Sequence, residues 1–182
     1  MRPTPAARRA SGFTLLEVLV VVVIIGIITS MAVISVHVLG GDHEMQREAE
    51  RLRAILLQAR EEAMMQSRDL GLRIDATSFE FLEYDGREER WHAVSGDPLL
   101  RERTLPEGLR MSLRVEDRDV RLEPRRPETD RDPIQPQVIL QASGELVPFD
   151  VRFTRDGTDE ERRVSGTVEG SIELHDDRRE RP

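Results

Sequence analysis

Polar and apolar positions divide the chain into three regimes. From Gly12 to Leu39 nearly every residue is apolar or small, and Glu17 is the one Asp, Glu, Lys or Arg among them. As a helix rising ~1.5 Å per residue, the uncharged run Val18 to Leu39 spans roughly 33 Å, enough to cross a hydrocarbon core of ~30 Å. Beyond it Met45, Ala49, Leu52, Leu56, Ala59 and Ala63 recur at alternating spacings of four and three, the stripe of an amphipathic helix predicted to run to about Gln66. Ile55, Leu57, Met64 and Met65 are expected to widen that stripe, with Glu44, Arg47, Glu48, Glu50, Arg51, Arg60 and Glu61 on the remaining faces. Gly40-Gly41-Asp42 breaks the apolar run without ending the helix and is the natural place for a bend.

Past Ser67 the period drops to two. Leu70, Leu72 and Ile74 alternate with Gly71, Arg73 and Asp75, and Phe79-Glu80-Phe81 continues in a second strand toward Tyr84. Asp85-Gly86 signals a turn, and Trp91 to Val94 returns as a third strand. Further strands are expected over Leu99 to Leu105, Leu109 to Val115, Val138 to Leu140 and Phe149 to Phe153, with a last hairpin of Arg162 to Val168 and Ser171 to Leu174 around Glu169-Gly170. Arg118 to Asp132, charged and followed or broken by Pro124, Pro127 and Pro133, is expected to be a mobile loop, and the tail after His175 to be disordered. The fold class is α+β: one long N-terminal helix packed on antiparallel strands. The expected organisation is a basic leader (1–12), a transmembrane helix (13–39), its amphipathic continuation (40–67), a β-rich domain (68–175) and a charged tail (176–182).

Charge orients this layout. Arg2, Arg8 and Arg9 precede the apolar stretch, and Asp42 and Glu44 follow it, which places the N-terminus in the cytoplasm and the domain outside. A secretory signal peptide has a shorter apolar region closed by a small-residue cleavage site, and neither holds here. The formal net charge is −8, and loss of the three leader arginines takes it to −11, which argues against a general nucleic-acid binder. There is no cysteine, hence no disulfide framework and no thiolate metal site. His37, His43, His92 and His175 have no partner at helical ligand spacing, Asp130 and Asp132 lack the calcium-loop pattern, and no phosphate-binding loop or serine-nucleophile motif occurs. No metal, cofactor or catalytic residue is expected.

Glu17 is the residue the bland anchor leaves unexplained. A carboxylate in an apolar helix costs a few kcal/mol and is usually functional, although a first-turn position near the interface softens the cost. Gly12-Phe13-Thr14-Leu15-Leu16-Glu17, with the arginines before it and the Val/Ile run after it, resembles the class III signal of type IV prepilins and pseudopilins. The resemblance implies cleavage between Gly12 and Phe13 by a prepilin peptidase that also methylates Phe13. It implies that Glu17, fifth in the mature chain, pairs with the terminal amine of a neighbouring subunit. Ser143-Gly144-Glu145-Leu146-Val147-Pro148-Phe149 near the C-terminus, and Arg60-Glu61-Glu62-Ala63 leading into Gly71-Leu72-Arg73, are similar to the H-type minor pseudopilins of type II secretion. The implied role is a non-enzymatic subunit of a short periplasmic filament that helps export folded proteins. Its partners would be other major and minor pseudopilins, the peptidase/methyltransferase, the inner membrane and secreted cargo. The alternative is a minor pilin of a type IV pilus or DNA-uptake machine, with Arg121, Arg125, Arg126 and Arg131 as a DNA patch, although Glu123, Glu128, Asp130 and Asp132 offset them. A third reading, a membrane-anchored periplasmic enzyme, has no motif behind it.

Overall fold

A computed structural model describes residues 15–122 and 133–178, with side chains described outside 29–42 and 177–178. The chain divides into two compact units, residues 1–40 and 41–182. Helix α1 (Leu15–Gln66) is 52 residues long, and Gly40-Gly41 does not end it.

In the second unit the stripe behaves as its spacing predicts. Met45, Ala49, Leu52, Leu56, Ala59 and Ala63 are fully buried, joined by Ile55, and Leu57 packs partly against the core. Met64 and Met65 do not widen the stripe as expected: they are 44% and 85% exposed. They follow Ala63 by about 100° and 200° of helical rotation, which carries both away from the buried face. The helix ends in a left-handed residue, Ser67 (φ 50°), and the Arg68 N–H donates to the Ala63 carbonyl at 3.1 Å. That is the wrap-back closure usually built on glycine. Ser67→Gly is therefore expected to stabilise the chain by about 0.5–1 kcal/mol, read as a higher urea midpoint.

Two antiparallel five-stranded sheets follow. The first comprises β1 (Leu70–Ile74), β2 (Ser78–Asp85), β3 (Arg90–Ala93), β4 (Arg103–Thr104) and β7 (Val138–Leu140). Its order is β3-β2-β1-β7, with β4 against the start of β2. The second contains β5 (Leu109–Val115), β6 (Arg118–Val120), β8 (Phe149–Arg155), β9 (Glu160–Gly166) and β10 (Ile172–Arg178), ordered β10-β9-β8-β5-β6. In β5 and β8 burial alternates as the sequence pattern predicts, whereas in β1 and β2 Gly71, Glu80 and Leu82 are buried as well; Leu70, Leu72, Ile74, Phe79 and Phe81 from the first sheet and Leu109, Met111, Leu113, Phe149, Val151, Phe153 and Val164 from the second share one core with α1. Between β1 and β2, Asp75 accepts from the Thr77 and Ser78 N–H groups at 2.7 Å each and from the Ser78 hydroxyl. Burial works against its charge, but these bonds prevail and hold the carboxyl below its ordinary range.

Three expectations are corrected. The strand expected over Leu99 to Leu105 is reduced to Arg103–Thr104, because Asp97 caps a turn through the Leu99 N–H at 2.7 Å; Leu100 and Leu105 still enter the core. The loop expected from Arg118 begins instead with β6, paired to β5 through a two-residue turn in which Glu116 and Asp117 both have positive φ (49° and 62°). That is the hairpin geometry normally signalled by Asn-Gly, and Glu-Asp carries no such signal. Residues 123–132 of the expected loop lie outside those described. Finally, the chain after His175 is not disordered at once: β10 continues to Arg178, paired along its length with β9.

Candidate assembly interface

In the first unit Glu17 lies in the first turn of α1, where the helix dipole favours a carboxylate. The apolar side chains around it, Leu15, Leu16, Val18 to Ile25, Ile27 and Ile28, are 45–86% exposed, whichever way they point from the axis. A helix apolar on every side is a buried helix or a membrane span. Among the described residues no helix is long and apolar enough to cross a membrane. The described side chains cover only 15–28 of the span expected over 13–39, and Gly12 and Phe13 lie outside the described residues.

In the second unit the structure joins two segments that the sequence singled out separately. Arg60 Nε donates to the Gly144 carbonyl at 2.9 Å, across 84 residues of chain. Gly144 has φ 87°, and a Cβ there would meet Met64 Sδ at 2.9 Å and the Arg60 guanidinium at 3.3 Å. The same guanidinium lies against Gly170 (φ 84°), where a Cβ would come within 2.5 Å. One helix arginine thus holds the β7–β8 connection, which passes from one sheet to the other, and the β9–β10 turn. Arg53 Nε adds a bond to the Ile172 carbonyl at 3.2 Å.

The rest of the Ser143–Phe149 segment is equally structural. Leu146 is buried and bridges to Leu140, and the Pro148 carbonyl accepts the Glu116 N–H at 2.9 Å. Phe149 lies over Gly166, its cross-strand partner, and a Cβ on Gly166 would sit 2.2 Å from the ring. Sequence reasoning missed Gly166 as the partner of Phe149 and Gly170 as a second rest for Arg60. Their only signals were a glycine inside a strand pattern and a glycine in a turn, and neither names a partner. Gly71, also in the resemblance, has the same logic: a Cβ would meet Pro136 at 2.5 Å and Trp91 at 3.0 Å.

Charged groups on the core side are matched. Arg162, 8% exposed, takes the oxygen of Gln46 through Nε at 2.6 Å and pairs with Asp176 at 2.6 Å and Glu160 at 3.3 Å. Arg73 faces Glu80 at 3.4 Å, and Arg155 pairs with Glu44. Among the described residues no three His, Asp or Glu side chains gather as metal ligands. Of the arginines in the alternative DNA patch, Arg121 is exposed, and Arg125, Arg126 and Arg131 lie outside the described residues.

The chain matches two known families in succession. The prokaryotic N-terminal methylation motif matches residues 7–33, and the family described as type II transport protein GspH matches residues 48–170. The type II secretion system protein H of Aeromonas hydrophila is 34% identical over 166 residues, covering 88% of each chain. That of Pseudomonas aeruginosa is 32% identical over 165 residues, 90% of this chain and 93% of that one. The crystal structure of the minor pseudopilin EpsH from the type II secretion system of Vibrio cholerae overlays with a TM-score of 0.62 at 26% identity, over 73% of this chain and 96% of that one. The solution structure of Escherichia coli GspH gives 0.57 at 19% identity, over 78% and 94%, a likeness of fold alone. The helix on two antiparallel sheets, the N-terminal signal and these relatives together place the chain in the type II secretion system protein H family, the minor pseudopilins.

Proposed function

We propose that this chain enters its secretion pseudopilus through a processed N-terminal helix whose Glu17 pairs with the amine of a neighbouring subunit. The observation that carries this reading is a carboxylate in the first turn of a helix whose segment 15–28 is otherwise apolar all round. Cleavage between Gly12 and Phe13 keeps that helix on the mature protein and creates an amine four residues from Glu17. Methylation of Phe13 leaves the amine protonatable. In an apolar bundle each charge needs the other, since a buried charge without a partner is costly and a paired one is tolerated. Pairing between subunits then selects the register of the bundle. The helix over 13–39 spans the inner membrane once, with the N-terminus cytoplasmic and residues 41–182 periplasmic, and the partners are the other major and minor pseudopilins, the prepilin peptidase/methyltransferase and, through the filament, secreted cargo. The role is structural rather than enzymatic.

The test is the intact mass and first residue of the protein recovered from membranes, with and without co-expressed prepilin peptidase. Removal of residues 1–12 with one added methyl on Phe13, only when the peptidase is present, is the expected result. An uncut chain, or one cut beyond the apolar run, would refute the reading.

A further inference from the structure

Outside 15–28, the large apolar side chains exposed among the described residues are Met64, Met65, Tyr84 and Val168. Tyr84 is accounted for by its ring contact with Trp91, centroids 5.2 Å apart. Met64 and the Val168 turn flank Arg60, and Met65 stands about 140° round the helix from it, beyond Glu61. Met64 is one helical turn beyond Arg60 and touches the Gly144 turn; Met65 is the next residue; Val168, 53% exposed, lies two residues before Gly170, against which the Arg60 guanidinium rests. Methionine suits an adaptable contact surface, being unbranched and polarizable.

The rim is acidic. Glu61, next to Arg60 and one turn before Met65, is exposed; so are Glu145, which follows Gly144, and Glu169, which precedes Gly170. Its own backbone N–H holds the Glu169 carboxyl below its ordinary range. Arg60, at the centre, spends its Nε on the Gly144 carbonyl and one face on Gly170, and Arg53, two turns before it, spends its Nε on the Ile172 carbonyl. An apolar centre with three carboxylates around it is complementary to one chemistry, apolar side chains flanked by positive charge.

We infer that the Met64, Met65 and Val168 surface is a docking site for a basic amphipathic helix of a partner protein, with the partner's apolar stripe over the methionines and its Lys or Arg side chains facing Glu61, Glu145 and Glu169. Helix-on-surface recognition of this kind uses anchors at i, i+3 or i+4, and i+7. The two turns that carry Glu145 and Glu169 are held to the helix by Arg60, so the rim is pre-organised. The inference is independent of the role of Glu17, which concerns the other end of α1.

The experiment uses the full chain in zwitterionic lipid nanodiscs, labelled at the methionine methyl groups and titrated with a helical leucine–lysine peptide of ~14 residues, about the shortest length that keeps useful helicity. A leucine–glutamate peptide of the same pattern is the control, and Met45 and Met111, both buried, are internal references. The expected result is shifts at Met64 and Met65 with the lysine peptide alone, and affinity at least about tenfold weaker in the variant Glu61→Lys, Glu145→Lys, Glu169→Lys. An equal charge change at the other end of the buried half of α1, Glu107→Lys, Asp156→Lys, Asp159→Lys, beside Arg155 and its partner Glu44, should alter affinity less than about twofold. Unmoved Met64 and Met65, equal binding of the acidic peptide, or equal weakening by both triple variants would overturn the inference; the last outcome would mean general attraction to an acidic chain.

Discussion

A Glu17→Ala chain is expected to insert in the membrane and to be cut and methylated as the parent is, yet to be recovered with its partner pseudopilins about tenfold to a hundredfold less. The size follows from what is left behind. Removing one member of a buried ion pair costs about 3–5 kcal/mol because the other charge stays uncompensated. The interface position lowers that to roughly 1.5–3 kcal/mol, and each 1.4 kcal/mol is about a factor of ten in association. Alanine is also a better helix former than glutamate and removes a charge from an apolar helix, so insertion itself should not suffer. Three measurements separate the possibilities: membrane fractionation, intact mass, and co-purification with the other pseudopilins. Unchanged recovery with the partners would refute the pairing, and loss of the mutant from membranes would assign Glu17 to insertion instead.

The second large effect lies in the domain. Gly166→Ala should destabilise the chain by about 2–3 kcal/mol, seen as a lower urea midpoint through the fluorescence of Trp91, the only tryptophan. The new methyl would lie 2.2 Å from a Phe149 ring that is 3% exposed, so the ring must leave its place between the strands. The backbone is not the obstacle, since Gly166 is an ordinary strand residue paired with Ile172 and Phe149. A double-mutant cycle isolates the cause. Phe149→Ala alone should cost about 3–5 kcal/mol as a large-to-small core change. In that background Gly166→Ala should be near neutral, because no ring remains to collide with and alanine loses less entropy than glycine. The coupling energy is then about 2 kcal/mol or more. Additive costs would show that Gly166 matters for some reason other than the ring.

Both predictions depend on positions that the amino-acid sequence exposes to different degrees. Glu17 is legible at once, because one carboxylate in a run of Val and Ile has few explanations. The pair Phe149 and Gly166 is half legible: Phe149 ends the Ser143–Phe149 segment that resembles the H-type pseudopilins, but Gly166 reads as an unremarkable strand glycine until the register sets it opposite the ring. Arg60 is the same case. It reads as a surface cation on the polar side of the stripe, and only the folded chain brings two glycine turns onto it, one 84 residues away.

Periodicity by itself determined the helix, its buried stripe and most of the strands, because burial on one face enforces a period of 3.6 or 2 whatever the tertiary arrangement. The N-terminal methylation motif over residues 7–33 is legible as well, because it occupies one short stretch of chain. Tertiary structure alone decided which strands share a sheet and that Glu116-Asp117 closes a hairpin. Those outcomes depend on cross-strand register and on partners distant in sequence. The same is true of the glycines: what a missing Cβ makes room for is set by the residue that arrives opposite it, and no local pattern records that residue.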